Sequence, residues 1–127
     1  MRPRFNVWIE AEGQVVFSKW RADLLRAVAS TGSITAAAEE MNVPYRTAWQ
    51  KVHEMEERLG VKLLETQTGG VHGGGAKLTS EARRYLQKLD QLESLISPLV
   101  ESAFHQAFDE SPGAVRVDKG RLNSQDT

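Results

Sequence analysis

Two short apolar repeats, separated by a turn, restrict the possible folds of this chain most strongly, and both lie within residues 33–59. The first repeat places apolar side chains at i, i+3, i+4 and i+7: Ile34, Ala37, Ala38 and Met41. This spacing predicts one face of a short helix, and its alanines allow a second helix to approach closely. Asparagine tolerates a left-handed backbone conformation, so a tight turn is expected at Asn42.

The second repeat begins after Pro44, a residue that suits a helix start because its φ angle is preset. Its apolar residues recur at intervals of 4, 3 and 4: Ala48, Val52, Met55 and Leu59. Arg46, Thr47 and Gln50 fall on the opposite face. A short helix, a tight turn and a longer helix with polar first turns is typical of a helix-turn-helix, whose second helix enters the major groove of DNA. The alternative is an αα-hairpin within some other helical domain.

Two strands and a supporting helix are predicted before this pair of helices. Alternating residues over 5–10 predict one strand, and a turn at Glu12-Gly13 leads to a second strand over residues 14–17. Ser18 can cap the next helix, which Thr31-Gly32 ends. On that helix, Arg21 and Arg26 are expected to be solvated surface charges.

A glycine-rich stretch follows the second repeat. Residues 62–66 predict a strand, and five glycines between Thr68 and Thr79 predict a hairpin with a pliant tip, the shape of a wing. His72 and Lys77 on this wing could reach a phosphate backbone or the minor groove. A Walker nucleotide-binding loop is excluded because Ala76 precedes the lysine and Leu78 follows it. A surface loop without function is the alternative.

One long helix is predicted from Thr79 to about Phe108. Its apolar residues follow the seam spacing of a coiled coil, and we predict that they form a dimer interface: Tyr85, Leu89, Leu92, Ile96, Leu99 and Ala103. The first half is also expected to pack on the chain's own core through Leu78, Ala82 and Leu86. Pro98 is expected to interrupt this helix as a kink. The polar residues 109–127 predict a disordered tail.

Composition limits the classes of function. A net charge of −1 and a pI near 6.3 require that any nucleic-acid contact come from local clusters of Arg and Lys. The absence of cysteine excludes disulfides, thiolate zinc sites and cysteine nucleophiles, and no apolar run reaches the length of a membrane span. A cytoplasmic protein without a cofactor is therefore expected. The three histidines are scattered, and residues 54, 56, 57 and 58 resemble a solvated helix end, so neither a metal site nor catalysis is predicted.

Four segments resemble the N-terminal winged-helix domain of the ModE molybdate-responsive transcription regulators, which is related to the LysR-type DNA-binding domain. The segments are TGSITAAAEEMNVPYRTAWQKVHEME, the VKLLET strand, the TGG…GGGAKLT wing and the following long helix. The resemblance implies a homodimer that binds a palindromic operator, with Tyr45, Arg46, Thr47 and Gln50 facing the groove and Trp49 as a packing residue. Pro44 stands where this family usually has a serine.

The predicted fold is mainly α with a small β component, a winged helix-turn-helix with a long C-terminal dimerisation helix. Its predicted parts are residues 1–17 (strands), 18–78 (winged helix-turn-helix), 79–108 (dimerisation helix) and 109–127 (tail). The expected function is sequence-specific binding of double-stranded DNA in transcription regulation, with Lys51, Lys77 and His72 on phosphate. Molybdate and tungstate are not expected to bind this chain directly. The alternative function is a protein-interaction module that has lost DNA binding.

Overall fold

The structure, a computed structural model, describes residues 1–67 and 75–109. Its elements in chain order are β1 (Ile9–Ala11), β2 (Gln14–Phe17), α1 (Lys19–Thr31), α2 (Ile34–Met41), α3 (Tyr45–Leu59), β3 (Leu64–Gln67), β4 (Gly75–Leu78) and α4 (Ser80–Phe108). The chain divides into two compact units. One unit is Asn6–Asp90, and the described part of the other is Met1–Phe5 together with residues 91–109. This is the mainly helical fold with small sheets that the sequence predicts.

The core of the 6–90 unit is a single cluster formed by α1, α2, α3, the two hairpins and the start of α4. Its fully buried side chains include Leu24, Leu25 and Val28 of α1, all at 0 % exposure. Burying one such side chain stabilises the fold by about 1.5–3 kcal/mol. The predicted core contribution of α4 is confirmed, since Ala82 is fully buried and Leu86 packs against the cluster.

The ends of the first two helices lie where the sequence predicts them. The Ser18 hydroxyl accepts a hydrogen bond from the Arg21 amide at 3.2 Å, and the Ser33 hydroxyl accepts one from Ala36 at 3.0 Å. Gly32 ends α1 with φ of 82°, a value that glycine adopts without a steric penalty. Asn42 ends α2 with φ of 59°, so the tight turn predicted there is confirmed.

The N-terminal hairpin lies later in the chain than predicted. A strand over residues 5–10 was expected, but β1 is Ile9–Ala11 and pairs antiparallel with β2 in the register Ile9 with Phe17 and Ala11 with Gln14. The predicted first strand is therefore wrong in position. The physical reason is that the tight turn allows β2, which has only four residues, to pair with the few residues directly before that turn.

The wing hairpin is formed by β3 and β4, which pair antiparallel from Leu64 with Leu78 to Gln67 with Gly75. Its first strand begins two residues later than predicted. At its base, the Ala76 amide donates to the Gly32 carbonyl oxygen at 2.8 Å, and a Cβ at Gly75 would lie 3.2 Å from that same oxygen. The close approach favours glycine at position 75 and joins the wing to the turn between α1 and α2. The predicted glycine-rich tip, with His72, lies outside the described residues.

Helix α4 matches its predicted length closely. The Thr79 hydroxyl accepts a hydrogen bond from the Ala82 amide at 3.1 Å, which confirms Thr79 as the N-cap. The helix runs through Pro98 to Phe108, so this residue does not end it, and the expected kink stays a prediction. Proline lacks an N–H group, so one main-chain hydrogen bond is missing there, but the helical turns on either side continue. The predicted tail beyond Asp109 lies outside the described residues.

Candidate nucleic-acid interface

Helix α3 has one buried face and one exposed face along its first three turns. Ala48, Val52 and Met55 are each 0 % exposed, and the small residues Ala37 and Ala38 of α2 belong to the same buried cluster. On the other face, Arg46 and Gln50 are exposed and Thr47 is half-buried. The burial predicted from the second repeat is confirmed. Small buried side chains allow α2 and α3 to approach closely, and the polar side chains of α3 lie on the outer surface.

The first turns of α3 carry side chains without internal partners. Within residues 1–67 and 75–109, neither the Arg46 guanidinium nor the Gln50 amide makes a hydrogen bond or an ion pair. Pro44 provides no side-chain cap at this end of the helix. Polar groups that are free in this way can bind a ligand without first breaking internal bonds, because they give up only contacts with water.

The second half of α3 is fixed by a cluster of charges around Glu54. Arg21 of α1 donates to a Glu54 carboxylate oxygen at 3.1 Å, and the same oxygen lies 3.7 Å from Lys51 Nζ and 3.6 Å from Arg58. Arg58 also donates to the Val15 carbonyl oxygen of β2 at 2.6 Å. Arg21 was predicted to be a solvated surface charge, and this is wrong because its side chain is only 11 % exposed. The signal was missed because the partners lie 33 residues apart in sequence.

The cluster changes the ionisation of Glu54. Burial raises the pKa of this carboxyl group, but the hydrogen bond from Arg21 and the charges of Lys51, Arg21 and Arg58 outweigh burial and lower the pKa below its ordinary value of 4.5. A carboxyl group with a lower pKa in the folded state contributes stability above its unfolded pKa. That contribution is lost as pH falls through the folded pKa.

A Glu54→Gln variant tests this arrangement. We expect the wild-type chain to be more stable than the variant above about pH 5, and the difference to disappear on acidification, because protonation removes the same charge that the substitution removes. Urea unfolding followed by circular dichroism across a pH series measures both proteins. A difference that stayed constant down to acid pH would show that the carboxylate charge does not stabilise the fold.

Glu56, on the same turn, was predicted to belong to a solvated helix end, and this is wrong. Its residue is only 9 % exposed, and its carboxylate accepts hydrogen bonds from the Leu63 amide at 2.8 Å and the Leu64 amide at 3.2 Å. Glu56 thereby joins the end of α3 to the start of β3, the first strand of the wing.

The predicted phosphate-binding residues have different surroundings. Lys51 lies 3.7 Å from Glu54, and Lys77 lies 3.7 Å from Glu65 on the neighbouring strand. The Lys77 and Glu65 side chains are about equally exposed, at 61 % and 57 %, so their ion pair is weak and readily exchanged. His72 lies outside the described residues. Lys51 therefore lies on the same helix as Arg46, whereas Lys77 lies on the wing.

Trp49 was predicted to be a packing residue, but it does not enter the core. Its side chain is 42 % exposed, and Tyr45, one turn earlier, is 51 % exposed. The Trp49 ring stacks on His53 with centroids 3.7 Å apart and an interplanar angle of 23°. The sequence contained a signal for this surface, because residues 45, 49 and 53 recur every four positions on one side of the helix.

The predicted dimer residues differ in exposure along α4. Tyr85 and Leu89 pack against the core of the 6–90 unit, and the Tyr85 ring lies 5.1 Å from that of Phe17. In the second unit, Leu92 and Ile96 are half-buried and Ala103 is exposed. Leu99 is 67 % exposed, as is its neighbour Leu95 at 63 %. These two leucines are the large apolar side chains that α4 leaves most accessible before its last turn, and the assignment of the whole row to a dimer stays a prediction.

The described residues contain neither a candidate metal site nor a candidate membrane span. Over residues 1–67 and 75–109, no group of three His, Asp or Glu side chains is placed to hold a metal ion. No helix in these ranges is long and apolar enough to cross a membrane.

The domain has three helices, of which the second is short and the third has an exposed face, and a hairpin follows the third. This arrangement defines a winged helix-turn-helix domain. Residues 21–83 match the family described as bacterial regulatory helix-turn-helix protein, lysR family. This part of the chain therefore belongs to the LysR-type helix-turn-helix family, and among curated proteins it is similar to the ModE regulators.

The similarity to ModE proteins covers most of this chain and a smaller part of each relative. The transcriptional regulator ModE of Haemophilus influenzae is 42% identical over 91 residues, which are 72% of this chain and 34% of that protein. The DNA-binding transcriptional dual regulator ModE of Escherichia coli is 38% identical over 90 residues, 71% of this chain and 33% of that protein. The chain thus spans about a third of the length of these relatives.

A solved structure with a similar fold is the CbnR_DBD-DNA complex. Its TM-score is 0.52 at 25% sequence identity, and the match covers 68% of this chain and 94% of the CbnR chain. The winged helix-turn-helix fold predicted from the sequence is confirmed by this likeness and by the family match.

Proposed function

We propose that this chain is a sequence-specific DNA-binding transcription regulator that acts as a homodimer on a palindromic operator. The observation that carries the proposal is the exposed start of α3. There Arg46 and Gln50 have no internal partners within the described ranges, while Glu54 and Glu56 fix the rest of the helix. The similarity to ModE regulators supports the same function.

The proposed contacts follow from the geometry of the major groove, which is about 12 Å wide and admits one helix. Arg46 can donate two hydrogen bonds to guanine, and Gln50 can pair with adenine, each contributing about 1–3 kcal/mol of discrimination against the wrong base. Tyr45 and Thr47 would face the same groove. Lys51 on α3 and Lys77 on the wing would bind phosphates, as would His72, and these contacts orient the protein without selecting sequence.

The proposed dimer uses α4. Leu99 of the predicted row is exposed, and the exposed Leu95 lies beside that row, so together they present an apolar surface that a second copy can bury. Two recognition helices held about 34 Å apart would contact successive turns of the same face of the duplex and so bind two half-sites. We propose no molybdate or tungstate site in this chain, so neither ion should change DNA affinity.

Selection of bound duplexes from a random pool, followed by affinity measurement, tests the proposal. Against the selected site, Arg46→Ala is expected to weaken binding about tenfold per half-site and to relax preference at one base pair, because a bidentate contact to guanine is lost. Lys77→Ala is the matched control. It should weaken binding to all sequences and reduce the slope of affinity against salt concentration by about one.

An unchanged preferred sequence for Arg46→Ala would remove this residue from base recognition. A wild-type chain that selects no sequence and shows no salt-dependent binding would contradict the proposal as a whole. That second outcome would favour a protein-interaction module, which is the alternative suggested by the near-neutral charge and by the carboxylates beside Lys51 and Lys77. Steep salt dependence is specific to phosphate contacts and distinguishes the two functions.

A further inference from the structure

An aromatic pair borders a cleft on the outer face of α3. Tyr45 and Trp49 lie one helical turn apart and are 51 % and 42 % exposed. Together with Arg46 and Gln50 they line an open surface cleft of about 340 Å³. Both rings expose apolar surface beside two polar side chains that have no internal partner within the described ranges. The fold does not account for them, because the core of the 6–90 unit is completed by the opposite face of the helix.

The indole ring has a fixed support within its own helix. His53 stacks on Trp49, and the His53 Nδ1 lies 2.9 Å from the Trp49 carbonyl oxygen. A carbonyl oxygen can only accept, so this nitrogen carries the proton and donates it. The hydrogen bond and the stack hold both rings in one orientation. The part of the indole surface that His53 does not cover is therefore held ready for contact, at a smaller loss of side-chain entropy on binding.

We propose that the cleft between Tyr45 and Trp49 receives the C5-methyl group of a thymine in the major groove. This inference rests on the proposed function, because it requires α3 to lie in that groove. Thymine is the base that presents an apolar group there, and the other bases present hydrogen-bond donors and acceptors. Arg46 and Gln50 line the same cleft, so the thymine lies next to the base pairs that they contact. Each preferred half-site therefore contains a thymine whose methyl group, and not only its hydrogen-bonding pattern, is recognised.

Replacement of thymine by deoxyuridine, one position at a time in the selected duplex, tests the proposal. This change removes the methyl group and leaves base pairing and the O4 acceptor intact. For the wild-type chain we expect one position in each half-site at which the replacement weakens binding about three- to fivefold, the effect of losing one buried methyl group. Deoxyuridine outside the selected site is the matched control and should have no effect.

Two variants connect that position to the cleft. In Trp49→Ala the deoxyuridine effect should disappear, whereas Trp49→Phe keeps an aromatic wall and should retain most of it. Because Trp49 is well exposed, both variants are expected to fold, and circular dichroism checks this.

The outcomes separate this inference from the proposed function. Sequence-specific binding that is insensitive to deoxyuridine at every position would overturn the thymine contact and leave the regulator proposal intact. A methyl effect that persists in Trp49→Ala would also overturn it, because the contact would then belong to another residue. Absence of any sequence-specific binding would overturn the proposed function and this inference with it.

Discussion

Replacing Glu56 with alanine is expected to lower the free energy of unfolding by about 3 kcal/mol, a large fraction of the total for a small domain. The carboxylate accepts from two main-chain amides, Leu63 and Leu64, at a position only 9 % exposed. Its removal leaves both amide groups buried without a partner. Chemical unfolding followed by circular dichroism measures the loss, and the melting temperature should fall by on the order of 10 °C.

Glu57 provides the matched control. It is the next residue on α3, it is exposed, and it makes no hydrogen bond or ion pair within the described ranges. Glu57→Ala should therefore change the free energy of unfolding by no more than about 0.5 kcal/mol. Glu56→Gln, which keeps one acceptor oxygen, should fall between the two. If Glu56→Ala lost less than about 1 kcal/mol, the two amides would have to find other partners, and the proposed fixing of the wing to α3 would be wrong.

The double variant Leu95→Glu with Leu99→Glu is expected to weaken self-association by on the order of ten-thousandfold or more. Each copy would lose two large apolar side chains and gain two charges that repel those of its partner, and burial of one leucine is worth about 1.5–3 kcal/mol. Sedimentation over a range of concentrations measures the change. Operator binding should weaken in parallel, because two separate chains no longer bind two half-sites as one unit.

Ser94→Glu is the control for this experiment. Ser94 directly precedes Leu95 on α4, and at about 100° per residue it faces away from the predicted seam. It should leave association nearly unchanged. If Ser94→Glu dissociated the dimer as strongly as the double variant, negative charge on the helix would have a general effect. A wild-type chain that is monomeric at micromolar concentration would exclude α4 as a dimer interface.

Local signals were sufficient to predict most of the helical framework. Ser18, Gly32, Ser33 and Asn42 each act on backbone groups within a few residues, so their effect on helix ends is visible in sequence. The same applies to the cap at Thr79. The first strand was misplaced because strand position depends on pairing with another segment, and alternation alone does not specify the register.

The candidate site was predictable only in part. The outer position of Arg46 and Gln50 follows from helical periodicity, but their roles in base recognition stay predictions. The burial of Glu56 and Arg21 depends on segments that approach them only in the folded chain, so in sequence they resemble ordinary surface charges. Trp49 is the reverse case. Its large apolar side chain predicts burial, but its angular position on α3 predicts exposure, and the side chain is exposed.

The ion pair between Lys77 and Glu65 has a consequence for how such a regulator could be adjusted. In the proposed complex, a phosphate that approaches Lys77 would compete with the Glu65 carboxylate 3.7 Å away, and this competition is weak because both side chains are well exposed. Removing the Glu65 carboxylate would then raise the affinity for every duplex by a similar factor. The affinity for DNA would then be set by the wing strands, and the sequence preference by α3. Substitutions in one of these parts could change its property without changing the other.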